Sequence, residues 1–191
     1  HDKDWMRSSV ENRFAEALQN HDLTDILDYL QSVDGQEIVD LEIAFRQSND
    51  LKKNQDFAGE NIRVDIAAIA ENSDHVELSF YEAKHFLNPE LRGRSKEAKT
   101  ICQLGMYERR IYNECQEIRQ SYKNVLRDRL DLGLAPEGQK ELFTSLISGE
   151  KELSVRPYVP LVLFGFDDDQ KKGNAWENHI KEFEERGHFA L

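Results

Sequence analysis

Hydrophobic and polar positions along the chain follow two periods, which predict a chain of mixed α and β structure. A side chain on a strand shares its face with the residue two positions on, whereas a helix repeats its apolar positions every three or four residues. The elements predicted in this way are a helix from Ser8, strands over Glu37–Phe45, Asn61–Ala70, His75–Lys84 and Arg156–Phe166, a long helix over about Ser95–Leu130, a short helix over Glu141–Ile147, and a last helix that buries Trp176, Ile180 and Phe183.

A polar break separates the second and third strands. Glu71-Asn72-Ser73-Asp74 is short and rich in turn residues, so the strands on either side are expected to pair as an antiparallel hairpin. Pro157 and Pro160 cannot donate a backbone hydrogen bond. The last strand is therefore expected to form its ladder only in its later half, as a buried central strand, because Val159 to Phe166 is nearly all apolar.

Three charged residues interrupt the apolar pattern of the hairpin. Asp65 lies inside the first strand, and Glu82 and Lys84 share one face at the end of the second. Burying a carboxylate without compensation costs several kcal/mol, so a nearby cation is expected. Asp65, Glu82 and the carbonyl of Ala83 are hard oxygen donors that suit Mg²⁺ or Mn²⁺. Lys84 is placed to hold or activate a water molecule beside that metal.

The arrangement of Asp65 followed by Glu82-Ala83-Lys84 resembles the PD-(D/E)xK nuclease superfamily. The proline that precedes the aspartate in that family is replaced by Val64. A second ExK, Glu97-Ala98-Lys99, lies in a polar helical stretch with no strand before it, so it does not fit the pattern. The resemblance implies a restriction-endonuclease-like αβββαβ core, with a mixed central sheet flanked by helices, and metal-dependent cleavage of phosphodiester bonds.

The long helix carries a second part of the resemblance. Gln103-Leu104-Gly105-Met106-Tyr107 is similar to the QxxxY element of RecB-type exonucleases. The resemblance implies that Gln103 orients the attacking water or Lys84, and that Tyr107 hydrogen-bonds a phosphate. The alternative is a surface glutamine and a core tyrosine, one helical turn apart.

Glu11 has two interpretations. Ser8 and Glu11 have the spacing of a capping box, in which Glu11 only stabilises the start of the helix. Many of the nucleases that the chain resembles place a glutamate of their first helix against the metal, and this implies that Glu11 is a further ligand, with Glu16 as its substitute.

Other acidic groups are assigned to the surface. Asp40 and Glu42 alternate with the apolar residues of the first strand, which favours a solvent-facing edge. The run from Asp167 to Asp169 is expected to cap the final helix, because nothing connects it to Asp65.

The net charge of the 191-residue chain is −12, which opposes the binding of polyanions. A local exception follows the proposed site, where Arg92, Arg94, Lys96 and Lys99 are the candidates for contacts with a phosphate backbone. An ordinary solvated loop is the alternative.

The remaining features concern setting and boundaries. No apolar run approaches the length of a membrane span. Cys102 and Cys115 are predicted to lie in one helix roughly 20 Å apart, too far for a disulfide, which favours reduced thiols and a cytoplasmic setting. The chain is expected to be one domain of a longer protein, with an insertion or lid over 131–154. Association of copies, or contacts with further domains, is left open.

The resemblance implies a deoxyribonuclease that depends on Mg²⁺ or Mn²⁺, of endo or exo type, acting in antiphage defence or DNA repair. DNA is favoured over RNA because the relatives with a QxxxY element act on DNA. The alternative is an inactive domain of the same fold that binds protein or nucleic acid, and the acidic charge favours it.

Overall fold

The chain is an α/β protein, as the two periods predict, and its sheet is mixed, as the resemblance implies. A computed structural model describes residues 30–31, 36–45, 62–73, 75–92, 98–165 and 183. The strands are β1 (Glu37–Phe45), β2 (Ile62–Glu71), β3 (Val76–His85), β4 (Leu153–Val155) and β5 (Leu161–Phe164), and the helices are α1 (Lys99–Asn113), α2 (Cys115–Asp131) and α3 (Lys140–Ser148). Two short 3₁₀ helices cover Pro89–Leu91 and Glu137–Gln139.

The described residues fall into two compact units. The Glu82 unit holds residues 30–31, 36, 82–92, 98–105, 160–165 and 183. The Asp65 unit holds residues 37–45, 62–73, 75–81 and 106–159. Strand β3 and helix α1 each contribute residues to both units, so each unit is built from segments that are distant in sequence.

The predicted hairpin is confirmed in the Asp65 unit. Strands β2 and β3 pair antiparallel from Ile66 opposite Tyr81 to Glu71 opposite Val76. The amide of Asn72 donates to the carbonyl of His75 at 2.9 Å and closes the turn. Strand β1 pairs antiparallel with β2, and β4 pairs in parallel with the start of β3, so the sheet is mixed.

Helix α2 covers this sheet through residues spaced four apart. Ile118, Tyr122 and Leu126 are its buried positions and lie on one face. The ring of Tyr122 packs edge-on against Phe80 at 5.6 Å, and Phe80 packs edge-on against Phe45 at 5.7 Å. Such pairs add about 0.5–1.5 kcal/mol each beyond the area that they bury.

Arg129 of α2 stabilises an irregularity in β1. The register of β1 against β2 shifts between Ile38 and Asp40, which disturbs the hydrogen-bond ladder there. The guanidinium of Arg129 donates to the carbonyls of Ile38 at 2.9 Å and Val39 at 3.0 Å. Because backbone groups within a packed structure need partners, this contact secures the bulge.

Asp40 and Glu42, the two acids of β1 assigned to the surface, are half-buried and exposed, respectively, and each contacts another side chain. The hydroxyl of Tyr122 lies 3.5 Å from the carboxylate of Asp40. Glu42 is exposed, has a φ of 51°, and forms an ion pair with Arg63 at 3.6 Å. Leu41 is exposed although it belongs to the apolar set of the alternating pattern.

The prediction of one long helix is wrong. Helix α1 ends at Asn113 and α2 begins at Cys115, and Glu114 between them has a φ of −113° and a ψ of 21°. The Glu114 side chain does not cap α2 but forms an ion pair with Arg110 of α1 at 2.7 Å. Since a single residue leaves the helical conformation, the apolar period continues across the break. Cys102 and Cys115 therefore lie in different helices, and neither of them is in a disulfide.

The predicted strand over Arg156–Phe166 is shorter in the structure. The ladder of β5 begins at Leu161, after both prolines, as expected. Within the described ranges β5 pairs with β3 alone, whereas the apolar run predicts a central strand. The run is buried all the same, with Leu161, Val162 and Phe164 all shielded from solvent.

The segment 131–154 forms part of the Asp65 unit. The predicted short helix is confirmed as α3, which buries Phe143 and Leu146. The segment also contains the start of β4, which sequence reasoning missed because three residues are too few to show a period. No helix in this part of the structure, or in the other described ranges, has the length and apolar content to cross a membrane.

Several predicted elements lie outside the described residues. These are the start of the helix at Ser8 and the run Asp167 to Asp169. Of the three residues expected to be buried by the last helix, Phe183 is described, and it is helical and buried.

Candidate functional site

The end of β3 forms the backbone of the site in the Glu82 unit. It pairs in parallel with β5, with Glu82 opposite Leu161 and His85 opposite Phe164. The amide of Glu82 donates to the carbonyl of Pro160 at 3.1 Å, and the amide of Phe86 donates to the carbonyl of Phe164 at 2.7 Å. Because strand backbone groups alternate between the two edges, the carbonyl of Ala83 is directed to the edge of β3 opposite β5.

Glu82 and Lys84 meet on one face of this strand, as the alternation predicts. The Lys84 Nζ lies 2.7 Å from Glu82 Oε1, which is the distance of a charge-assisted hydrogen bond. The side chains are 2 % exposed for Glu82 and 13 % for Lys84. Burying two charges is tolerated only when each compensates the other, so the contact between Glu82 and Lys84 is what allows both to be buried in this strand.

Glu90 adds a second carboxylate next to Lys84. Its Oε2 lies 3.7 Å from Lys84 Nζ, while its Oε1 lies 2.8 Å from the Nζ of Lys99. The four charged side chains thus alternate in sign in the order Glu82, Lys84, Glu90, Lys99. Glu90 was not among the site residues predicted from the sequence. The sequence does contain a sign that the backbone of Glu90 has a fixed conformation. Asn88-Pro89 begins the 3₁₀ helix that carries Glu90.

The backbone of Glu90 is held from both sides. Its amide donates to Oδ1 of Asn88 at 2.9 Å, and its carbonyl accepts from the Thr100 hydroxyl at 3.0 Å. Partial burial raises the pKa of the Glu90 carboxyl, but the hydrogen bond from Lys99 and the charges of Lys84 and Lys99 outweigh it. The net result is a pKa below the ordinary value of 4.5. Glu90 is therefore ionised at neutral pH.

Two of the four basic residues predicted to contact a phosphate backbone, Arg92 and Lys99, make contacts within the protein. Arg92 donates to the carbonyl of Phe86 at 3.2 Å, and its guanidinium lies 5.5 Å from the centre of the Phe86 ring. Lys99 is paired with Glu90. The other two predicted nucleic-acid contacts, Arg94 and Lys96, lie outside the described residues, as do the metal candidate Glu11 and its substitute Glu16.

Asp65 and Tyr107 belong to the Asp65 unit. Asp65 is half-buried and lies in β2 between two fully buried residues, Val64 and Ile66. Tyr107 is 3 % exposed, and its hydroxyl donates to the backbone carbonyl of Arg63 at 2.6 Å. The contact joins α1 to β2 two residues before Asp65. Gln103 is a half-buried residue of α1 in the Glu82 unit.

Tyr107→Phe is expected to destabilise the protein by about 1 kcal/mol, because it removes one short hydrogen bond and leaves the Arg63 carbonyl without that donor. Tyr122→Phe is the matched control, since Tyr122 is equally buried and its hydroxyl is 3.5 Å from Asp40. Urea unfolding of both variants measures the difference. Equal stability losses would contradict a specific role for the Tyr107 hydroxyl.

The donors of the Glu82 unit suit a hard divalent cation. Mg²⁺ keeps several waters and binds proteins through one or two carboxylates, and Glu82 together with the Ala83 carbonyl offers a carboxylate and a carbonyl oxygen. Lys84 holds one oxygen of that carboxylate. In the described ranges, no three His, Cys, Asp or Glu side chains lie close enough together to enclose a metal ion. Glu82 and the Ala83 carbonyl by themselves would leave most positions around a Mg²⁺ or Mn²⁺ ion to water.

Comparisons with known proteins found no match among protein-family models, curated proteins or solved structures. Functional inference therefore rests on the residues and their geometry.

Proposed function

We propose that the protein is a Mg²⁺-dependent nuclease with a restriction-endonuclease-like core that hydrolyses phosphodiester bonds, with DNA as the favoured substrate. The buried pair of Glu82 and Lys84 carries this proposal. It combines a carboxylate 2 % exposed with an ammonium 2.7 Å away at the end of a strand. Two buried charges would add little to stability at the end of a strand that has no catalytic role, because apolar residues of similar volume are often equally or more stabilising there.

The proposed roles follow from the chemistry of each group. Glu82 and the Ala83 carbonyl would hold the cation, and the resemblance implies Asp65 and Glu11 as further carboxylates. The cation would supply a lowered pKa for a water and charge stabilisation for the leaving oxygen. Lys84 positions the attacking water, whose oxygen forms the new bond to phosphorus while the bond to the leaving oxygen breaks. The water's proton passes to solvent, and the leaving oxygen takes up a proton.

Gln103 and Tyr107 have supporting parts in this proposal. Gln103 belongs to the same unit as Lys84 and is proposed to orient Lys84 or the water. Tyr107 supports the strand of Asp65 through Arg63. The proposed contact of Tyr107 with a phosphate then requires that its hydroxyl release the Arg63 carbonyl, because the hydroxyl has one proton to donate and a phosphodiester only accepts.

A non-catalytic module that binds another protein is the second candidate. The net charge of −12 favours it, as do the internal contacts of Arg92 and Lys99, which occupy two of the four basic residues proposed for DNA. This candidate predicts no cleavage of any nucleic acid. A nuclease, in contrast, suits antiphage defence or DNA repair in the cytoplasm.

Incubation with supercoiled plasmid, linear DNA and RNA in Mg²⁺, Mn²⁺ or EDTA tests the proposal. Cleavage of DNA that requires a metal is expected, and nicking of closed plasmid separates endonuclease from exonuclease action. Asp65→Asn is expected to abolish it. Asp40→Asn, an equivalent change at the acid that lies near Tyr122, is expected to retain it. Cleavage that persists in EDTA would exclude the mechanism, and no cleavage at all would favour the binding module.

A further inference from the structure

We propose that Glu90 is a positioning residue that takes over the ammonium of Lys84 when a divalent cation binds Glu82. The inference rests on the proposed function, because it needs a cation at Glu82. It assigns a role to a carboxylate that the motif does not contain.

The need for a second partner follows from the Glu82–Lys84 contact. Lys84 Nζ lies 2.7 Å from Glu82 Oε1, so a cation that binds this carboxylate meets a positive charge already there. Like charges at such a separation repel strongly in a site with little water. The ammonium must therefore move, yet at 13 % exposure it cannot simply turn into bulk solvent. A buried ammonium that moves away from Glu82 is stabilised by a closer approach to another carboxylate.

Glu90 offers a carboxylate within reach of that ammonium. Its Oε2 is 3.7 Å from Lys84 Nζ, so a displacement of about 1 Å brings the two atoms to the distance of a charge-assisted hydrogen bond, about 2.7–2.9 Å. The lysine side chain has a flexible four-carbon stem that allows such a movement.

The surroundings of Glu90 keep it in place for this transfer. Lys99 binds the other oxygen, Oε1, at 2.8 Å, which leaves Oε2 directed towards Lys84. Asn88 and Thr100 hold the backbone of Glu90 at 2.9 and 3.0 Å. The lowered pKa of Glu90 keeps the acceptor ionised. On this basis Lys99 serves to orient Glu90, which gives it a role other than contact with a phosphate backbone.

Mn²⁺ binding, measured by calorimetry on the whole chain without nucleic acid, tests the transfer. Glu90→Gln is expected to weaken Mn²⁺ binding by about tenfold, as is common when a group that supports a metal ligand is lost. Glu137→Gln is the control, because it removes the carboxylate of another glutamate–lysine ion pair, with Lys140 at 2.5 Å. This control is expected to bind Mn²⁺ as the wild type does.

A double-mutant cycle separates transfer of the ammonium from a general effect of charge. With Lys84→Met there is no ammonium to move, so Glu90→Gln is expected to change Mn²⁺ binding less than twofold in that background. A tenfold effect that persists there would overturn the transfer, as would wild-type binding in the single Glu90→Gln variant. Failure of the wild type to bind Mn²⁺ would overturn the proposed function itself.

A measurement on the wild type covers the case in which a Lys84 variant fails to fold. The ¹⁵Nζ resonance of Lys84 and the ¹³Cδ resonance of Glu90 are expected to shift together when Mg²⁺ is added. A Glu90 resonance that does not respond while Mg²⁺ binds would overturn the transfer.

Discussion

Lys84→Ala is expected to reduce metal-dependent cleavage by about 10²-fold, because it removes the group that positions the attacking water. It is also expected to destabilise the protein by about 3–5 kcal/mol, because it leaves the Glu82 carboxylate buried without the ammonium that now lies 2.7 Å away. Urea unfolding and initial rates of plasmid cleavage in Mg²⁺ measure the two effects.

A double variant separates catalysis from stability. Glu82→Gln combined with Lys84→Met replaces two buried charges with neutral side chains of similar size. It is expected to be more stable than Lys84→Ala, since no uncompensated charge remains, and equally inactive. Cleavage by Lys84→Ala at the wild-type rate, with the protein folded, would remove Lys84 from the mechanism. A stability loss below about 1 kcal/mol would contradict the buried ion pair.

Gly165→Ala is expected to destabilise the protein by about 2–4 kcal/mol, for two reasons that add. Gly165 has a φ of 73°, and an L-residue in this left-handed region costs about 1–2 kcal/mol. A Cβ at this position would also lie 2.3 Å from Nε2 of His85. The His85 ring is held by the amide of Leu87, which donates to its Nδ1 at 3.1 Å, and by the edge of Phe164. Displacing it costs about 0.5–1.5 kcal/mol for the hydrogen bond alone.

Two variants divide this effect into its parts. Gly149 has a φ of 85° but open space where a Cβ would be added, so Gly149→Ala is expected to lose only the conformational part, about 1–2 kcal/mol. In a His85→Ala background, Gly165→Ala is expected to cost no more than that. Thermal unfolding of the four variants tests the division. Equal losses for Gly149→Ala and Gly165→Ala would contradict a clash with His85.

Gly165→Ala is also expected to affect the candidate site, because β5 pairs with the part of β3 that carries Glu82 and Lys84. His85 directly follows Lys84 in β3, and β5, which precedes Gly165, pairs with Glu82 to His85. A displaced His85 therefore disturbs the segment that sets the position of Lys84. We expect the cleavage rate of Gly165→Ala to fall further than that of Gly149→Ala at a temperature where both are folded.

The parts of the fold that follow a local period were predictable. The hairpin of β2 and β3 forms where alternating strands flank a short polar turn, and Glu82 meets Lys84 because residues two apart share a strand face. The break at Glu114 was not predictable in this way, since one non-helical residue leaves the apolar period intact. Strand β4 has only three residues, fewer than an alternating pattern needs to be visible.

The sequence alone determined which residues are neighbours along an element, and with them the pairing of Glu82 with Lys84. Only the tertiary structure decided what reaches them from elsewhere. Glu90 approaches Lys84 because a turn folds the chain back, and Tyr107 binds a carbonyl 44 positions away. A period describes the faces of one helix or strand. Contacts between elements depend on how the chain packs, and no repeat in the sequence encodes that.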